Sequence, residues 1–213
     1  MRGGALVQVK IGLIVLMSIV YILLMSDQSN QIVSVVFKIV PMLLIVHLAL
    51  SSVRTHKANL WILAGLIVCT VADAAIAFSF LAGLVIFLVG HLLYIPGFYK
   101  AMLKKNRKKR VVLPYALYGF LAGSILIHSM LQSGEGALVV PVLFYILVIT
   151  CMGIVACWTR NRFAFFGSVL FIVSDTILAW NLFVNAVPHS TVWIMTTYYS
   201  AQLFIALSMK RLP

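Results

Sequence analysis

The chain predicts an all-α integral membrane protein with eight transmembrane helices. Three observations carry that expectation. Of 213 residues, 63% are hydrophobic and only 9% charged, where a soluble domain carries about 25% charged residues. The mean hydropathy is +1.12, and the apolar residues run on continuously instead of alternating as they do in a transmembrane barrel. Short polar breaks cut the chain into eight segments, each close to the roughly 20 apolar residues that a spanning helix requires. A soluble globular domain and a disordered chain are both excluded. The excess of 16 Lys and Arg over 4 Asp and Glu reads as membrane topology and not as a nucleic-acid surface.

The spans are taken in order as Ile11–Met25, Gln31–Val53, Leu60–Phe80, Leu81–Met102, Val111–Leu131, Ala137–Trp158, Phe163–Asn185 and Thr191–Met209. The first follows Arg2 and Lys10 as a signal peptide would. The stretch Ser26 to Asn30 lacks the small-x-small pattern of a cleavage site, so the segment reads as a retained helix. The third and fourth spans are joined by almost nothing. In the fifth, Gly119 and Gly123 form a small-xxx-small pair that predicts a packing face. Cys69, Cys151 and Cys157 all fall inside spans, as small apolar residues and not as a disulfide framework.

Charge tests the count. Eight spans put both termini and the even connections on one side, with Arg2, Lys10, Arg54, Lys57, Lys100, Lys104, Lys105, Arg107 to Arg110, Arg160, Arg162, Lys210 and Arg211. That side is cytoplasmic by the positive-inside rule, which gives a multi-pass protein of the cell membrane with both termini in the cytoplasm. The opposite loops carry Asp27 and Glu135 without Lys or Arg. The Lys104 to Arg110 run reads first as a topology determinant and second as a contact for anionic lipid headgroups.

Six ionisable groups remain inside spans: Lys38, His47, Asp73, His91, His128 and Asp175. Each is costly in lipid and needs a partner or a purpose. At about 1.5 Å of rise per residue, Lys38 and Asp73 both lie about 10 Å from the outer boundary, with His91 and Asp175 at roughly 12–15 Å. Tyr198 and Tyr199 fall at about 12 Å, with Gln202 one turn deeper. Five helices thus contribute to one polar layer, while His47 and His128 lie near opposite ends of their helices. Phe87, His91 and Tyr94 share a face of the fourth span. Tyr198 and Gln202, and Tyr199 and Gln202, are paired along the eighth. Pro41, three residues after Lys38, withdraws a backbone donor from the second span. Gly65 precedes Asp73 as Gly167 precedes Asp175, and the aspartates are 102 residues apart. This predicts a weak repeat of two parallel four-helix halves, residues 1–103 and 111–213.

Lys38 can compensate one carboxylate fully. The other, beside Ser174 and tyrosines, is either a hydrogen-bonded acid of purely structural use or one member of an acid–base pair. The depth of the layer suits an amphipathic substrate whose reactive bond lies just below its headgroup. A zinc site would need three or four converging ligands, and His91 is the only histidine in the layer. No metal and no cofactor is expected, and no phosphate-cradling or dinucleotide motif occurs.

These residues resemble a known pattern. Lys38-x-x-Pro41, Asp73, Phe87-x-x-Gly90-His91-x-x-Tyr94, Gly167 with Ser174-Asp175, and Tyr198-Tyr199-x-x-Gln202 are similar in order and spacing to the YhhN-type lysoplasmalogenase family. The likeness covers almost the whole chain. One departure is Ala72, where that family more often has Gly. The resemblance implies hydrolysis of the vinyl-ether bond of lysoplasmalogens, giving a fatty aldehyde and glycerophosphocholine or glycerophosphoethanolamine. It implies Asp73 and Asp175 as catalytic acid and base in an unassigned order. Lys38, His91, Tyr94, Ser174, Tyr198, Tyr199 and Gln202 would bind or orient the substrate. The expected partners are a lysophospholipid substrate and membrane lipids, with no nucleic acid. Two other classes fit the same charged layer. A small multispanning transporter would use it as a substrate or proton site, and a lipid-binding scaffold would use it for stability alone.

Overall fold

The computed structural model describes residues 2–25, 30–53, 58–102 and 109–211. Asp27, Arg54, Lys57, Lys104, Lys105, Arg107 and Lys108, which entered the charge count, lie outside the described residues. The described residues form eight long helices and no strand. They are α1 (Arg2–Val20), continued by one π turn (Tyr21–Met25), α2 (Gln31–Leu50), α3 (Ala58–Phe78), α4 (Phe80–Lys100), α5 (Val112–Gln132), α6 (Gly136–Trp158), α7 (Arg162–Phe183) and α8 (Ser190–Ser208).

Seven of these helices are long and apolar enough to cross a membrane, and α8 falls short by composition. The reason is visible in the packing. Tyr198, Tyr199, Gln202 and Ser208 of α8 are all buried against other helices, so its polar atoms face protein. Elsewhere Leu24, Leu113, Phe120, Leu131 and Val140 stand well exposed on the outside of the bundle. An apolar exterior around an interior holding Asp73, His91 and Gln202 is the arrangement a hydrocarbon solvent selects.

The boundary between the third and fourth spans falls at one residue. Ser79 is extended at φ −151° and its hydroxyl accepts from the Ala82 amide at 3.3 Å. It caps α4 while ending α3, one residue earlier than the sequence placed the break. Asn30 caps α2 in the same way, accepting from the Ile32 and Val33 amides.

Below Ser79, α3 and α4 run against each other along a seam of matched sevens. On α4, Gly83, Gly90 and Gly97 share a face. A Cβ added to them would lie 2.4 Å from Ile76, 2.6 Å from Cys69 and 2.6 Å from Ile62, themselves seven residues apart on α3. Gly65 answers from α3, where a Cβ would meet the Tyr94 ring at 2.4 Å. Helices in lipid gain no hydrophobic drive to associate, so such close van der Waals contact carries the association. Gly119 and Gly123 do face α6, at Ile146 and Thr150, but at ordinary contact distances.

On the other side α7 packs along α8, with Gly167 seated against Ala201 and Ile205. Buried asparagines start both pairs. Asn59 of α3 donates to the Ser52 and Met209 carbonyls, and Asn161, the cap that starts α7, donates to the Ser208 carbonyl. Like the glycines and the aspartates, these asparagines are 102 residues apart, a third pair at the same spacing. The packing core is formed by Met42, Ile45, Leu66, Phe98, Phe171 and Ile205, all fully buried.

Candidate active site

A cavity of about 300 Å³ lies among α2, α3, α7 and α8, at the end of the bundle where α2 and α8 begin. Its walls include Lys38, Asp73, Ser174, Asp175 and Tyr198, and its rim includes Gln31, Ser34 and Thr191. Gln31 Nε2 donates to the Ala77 carbonyl and so fixes the first turn of α2 to the last turn of α3. Both aspartates therefore reach one chamber, each from the inner face of its own helix.

The two carboxylates keep different company. The Asp73 side chain is 2% exposed, with Lys38 Nζ 3.4 Å from Oδ1 and the Tyr198 hydroxyl donating to Oδ2 at 2.6 Å. The Asp175 side chain is 17% exposed and meets neutral groups first. The Tyr145 hydroxyl donates to Asp175 Oδ2 at 2.5 Å. Since that proton points at Asp175, the Tyr145 oxygen accepts from His91 Nε2, 2.8 Å away. The order His91, Tyr145, Asp175 fixes the proton on Nε2 of the imidazole. Its Nδ1 is buried without a hydrogen-bond partner among the described residues.

The remaining predicted residues hold this frame from behind. Tyr199 donates to the Lys38 carbonyl at 2.8 Å, the backbone oxygen three residues before Pro41. Tyr94 donates to Gln202 Oε1 at 2.7 Å, joining α4 to α8. Ser174 is in the cavity wall, but its hydroxyl donates to the Ile194 carbonyl at 3.0 Å and anchors α7 to α8. Lys38, Ser174 and Tyr198 thus border the cavity, whereas His91, Tyr94, Tyr199 and Gln202 support those that do. Phe87 and Phe171 wedge between the two aspartates' partners, edge-on to Tyr198 and, for Phe171, to His91 at 4.5 Å.

His47 and His128 lie away from the site. His47 Nε2 is 3.1 Å from Lys10 Nζ, and His128 is 3.1 Å from Gln132 on the same helix. The residue that sequence reasoning missed is Tyr145. Its signal was faint: a tyrosine amid the apolar run of α6, four residues after Pro141.

Among the described residues no three His, Cys, Asp or Glu side chains converge as metal ligands would. The arrangement can do acid–base work with its own groups: one carboxylate beside a cation, and a second on a chain of hydrogen bonds.

A family model described as the YhhN family matches residues 33–209. The chain is 34% identical to lysoplasmalogenase TMEM86B of Rattus norvegicus, covering 94% of this chain and 83% of that one. It is 32% identical to lysoplasmalogenase TMEM86B of Sus scrofa, over 92% and 84% of the two chains. It is 30% identical to lysoplasmalogenase TMEM86A of Bos taurus, over 88% and 82%. No solved structure matches. With a family model spanning the helices that build the cavity and relatives aligned along nearly the full length, the chain belongs to the YhhN family.

Proposed function

We propose that this chain hydrolyses the vinyl-ether bond of lysoplasmalogens, giving a fatty aldehyde and glycerophosphocholine or glycerophosphoethanolamine, with its two intramembrane aspartates as acid–base groups. The relatives are lysoplasmalogenases by name. The observation that carries the mechanism is the unlike company of the two carboxylates in one cavity.

A vinyl ether breaks after protonation of its β-carbon, which leaves an oxocarbenium ion. Asp175 donates that proton and becomes a carboxylate, and the Tyr145 hydroxyl, backed by His91, stabilises the new charge. Asp73, held anionic by Lys38 and Tyr198, faces the cation across the cavity and lowers its energy. Water adds to the oxocarbenium carbon and returns its proton to Asp175. The hemiacetal passes its hydroxyl proton to the departing glycerol oxygen, and aldehyde and alcohol separate. One water is consumed and Asp175 is restored. Lys38 and the polar rim of Gln31, Ser34 and Thr191 suit the phosphodiester headgroup.

The eight-span arrangement with both termini cytoplasmic belongs to the same proposal. It would place the rim at the opposite membrane face. The two-half arrangement is supported by a crossed pattern. Each aspartate takes one partner from the second helix of its own half, Lys38 or Tyr145. It takes another from the fourth helix of the other half, Tyr198 or His91.

The test is product-resolved hydrolysis by purified protein on alkenyl, alkyl and acyl lysolipids. Aldehyde should form from the alkenyl lipid alone. Asp73→Asn and Asp175→Asn should keep the helical spectrum and lose aldehyde release. Full activity in both variants would sink the mechanism.

A further inference from the structure

A second chamber lies beside the charged cavity, between α4, α5, α6 and α7. The two share Ile76, Phe87, Asp175 and Leu178 as a common wall. The second chamber is apolar, with Leu84, Ala122, Leu126, Val142, Ile146 and Ala179 among its lining. An edge-on pair of Phe80 and Phe183, with ring centroids 5.6 Å apart, closes one end. A hydrogen bond of 2.7 Å between Tyr118 and Thr176 closes the other.

Apart from Asp175, the polar groups that reach this chamber already have partners. Tyr145 donates to Asp175, and Tyr118 pairs with Thr176. Away from Asp175, an occupant needs no hydrogen-bonding group. The chamber is also narrow, about 60 Å³ as it stands. Its outer wall is α5, which buries only Gly123, Leu126 and Met130. That helix packs on α6 and α7 instead of along α4. A guest can widen the space by moving α5 outward, at the cost of little buried contact.

We propose that this chamber holds the single hydrocarbon chain of the substrate, and that Ala122 and Ala179 set the chain it accepts. The inference rests on the lysolipid reading above. A chain lying there and a headgroup at the Lys38 side of the common wall bring the bond between them to Asp175.

Two measurements on the full-length protein test it. Ala122→Phe and Ala179→Phe, each placing a ring in the chamber, should lower kcat/KM on a long-chain alkenyl lysolipid by about tenfold or more. Turnover of a short-chain alkenyl analogue with the same headgroup should be unchanged. An equal change on both chain lengths, or none, overturns the assignment. The second measurement does not depend on turnover. A non-hydrolysable alkyl-ether lysolipid with a diazirine along its chain should label peptides from α4 to α7, and excess unlabelled lysolipid should compete. Labelling confined to outward-facing residues such as Phe120 and Leu113, or not competed, overturns it. Competed labelling without any aldehyde release would retain the chain site and reject the hydrolase reading.

Discussion

Lys38→Met removes the ammonium that faces Asp73 and keeps an unbranched side chain of similar reach. The Nζ to Oδ1 distance is 3.4 Å. At an effective dielectric of about 20 the attraction across that distance is about 5 kcal/mol. The full amount is not lost, because the carboxyl can take up a proton and the Tyr198 bond at 2.6 Å stays. A net cost of about 3 kcal/mol follows, the low end for breaking a buried pair. For a chain of this size that is a fall in Tm of roughly 6–12 °C. The assay is thermal unfolding of the detergent-solubilised protein followed by circular dichroism, on Lys38→Met, Asp73→Asn and the double variant. The double variant should unfold above Lys38→Met alone, because it no longer buries an uncompensated carboxyl. Losses that simply add would show that the two groups are not coupled, and would refute the account of Asp73 as a fixed anion.

Other outcomes follow from the same geometry. Tyr145→Phe deletes a 2.5 Å bond to Asp175, a charge-assisted bond of about 1.5–3 kcal/mol. The proposed role predicts a fall in kcat of about 10- to 150-fold on lysoplasmalogen with KM unchanged, and a rise in KM alone would argue against it. Gly90→Ala puts a methyl group 2.6 Å from Cys69 Sγ. It should cost about 1–3 kcal/mol of stability by thermal unfolding, and adding Cys69→Ala should recover most of that. Asn59→Ala removes the amide that donates to the Ser52 and Met209 carbonyls and should lower stability by about 1–3 kcal/mol without changing KM for the lysolipid. Reporter fusions at either terminus should be active only when the reporter works in the cytoplasm.

Much of the fold was legible because a bilayer leaves the sequence few choices. Unbroken apolar runs gave seven helices to within a few residues, while α1 begins at Arg2, nine residues before the expected Ile11; rise per residue placed Lys38, Asp73, Asp175 and Tyr198 at one depth before any contact was known. Ser79 was harder. A single extended residue between two helices carries no Gly or Pro signal, and its capping role depends on the Ala82 amide coming within reach. The α3–α4 seam was also hidden, since glycines seven apart have meaning only when Ile76, Cys69 and Ile62 are known to lie opposite. Depth alone did not separate Asp73 from Asp175. That needed the azimuth of each helix, which brings Lys38 to one and Tyr145 to the other. Tyr145 was missed for the same reason: one hydroxyl in an apolar helix has no period to betray it.

The one-residue turn at Ser79 bears on how the protein is made. A carboxylate such as that of Asp73 costs about 2.5–3.5 kcal/mol when a lone helix is handed to the bilayer. Asp73 stands six residues before Ser79, and α4 starts at once after it. No polar linker separates α3 from α4, so the translocation machinery receives a hairpin and not two successive spans. The glycine seam then closes as the hairpin enters, shielding one flank of α3. Lys38, synthesised earlier on α2, is already in the bilayer when the carboxylate arrives. The order of synthesis thus supplies the counter-ion before the charge, and the acid enters lipid as part of a pair.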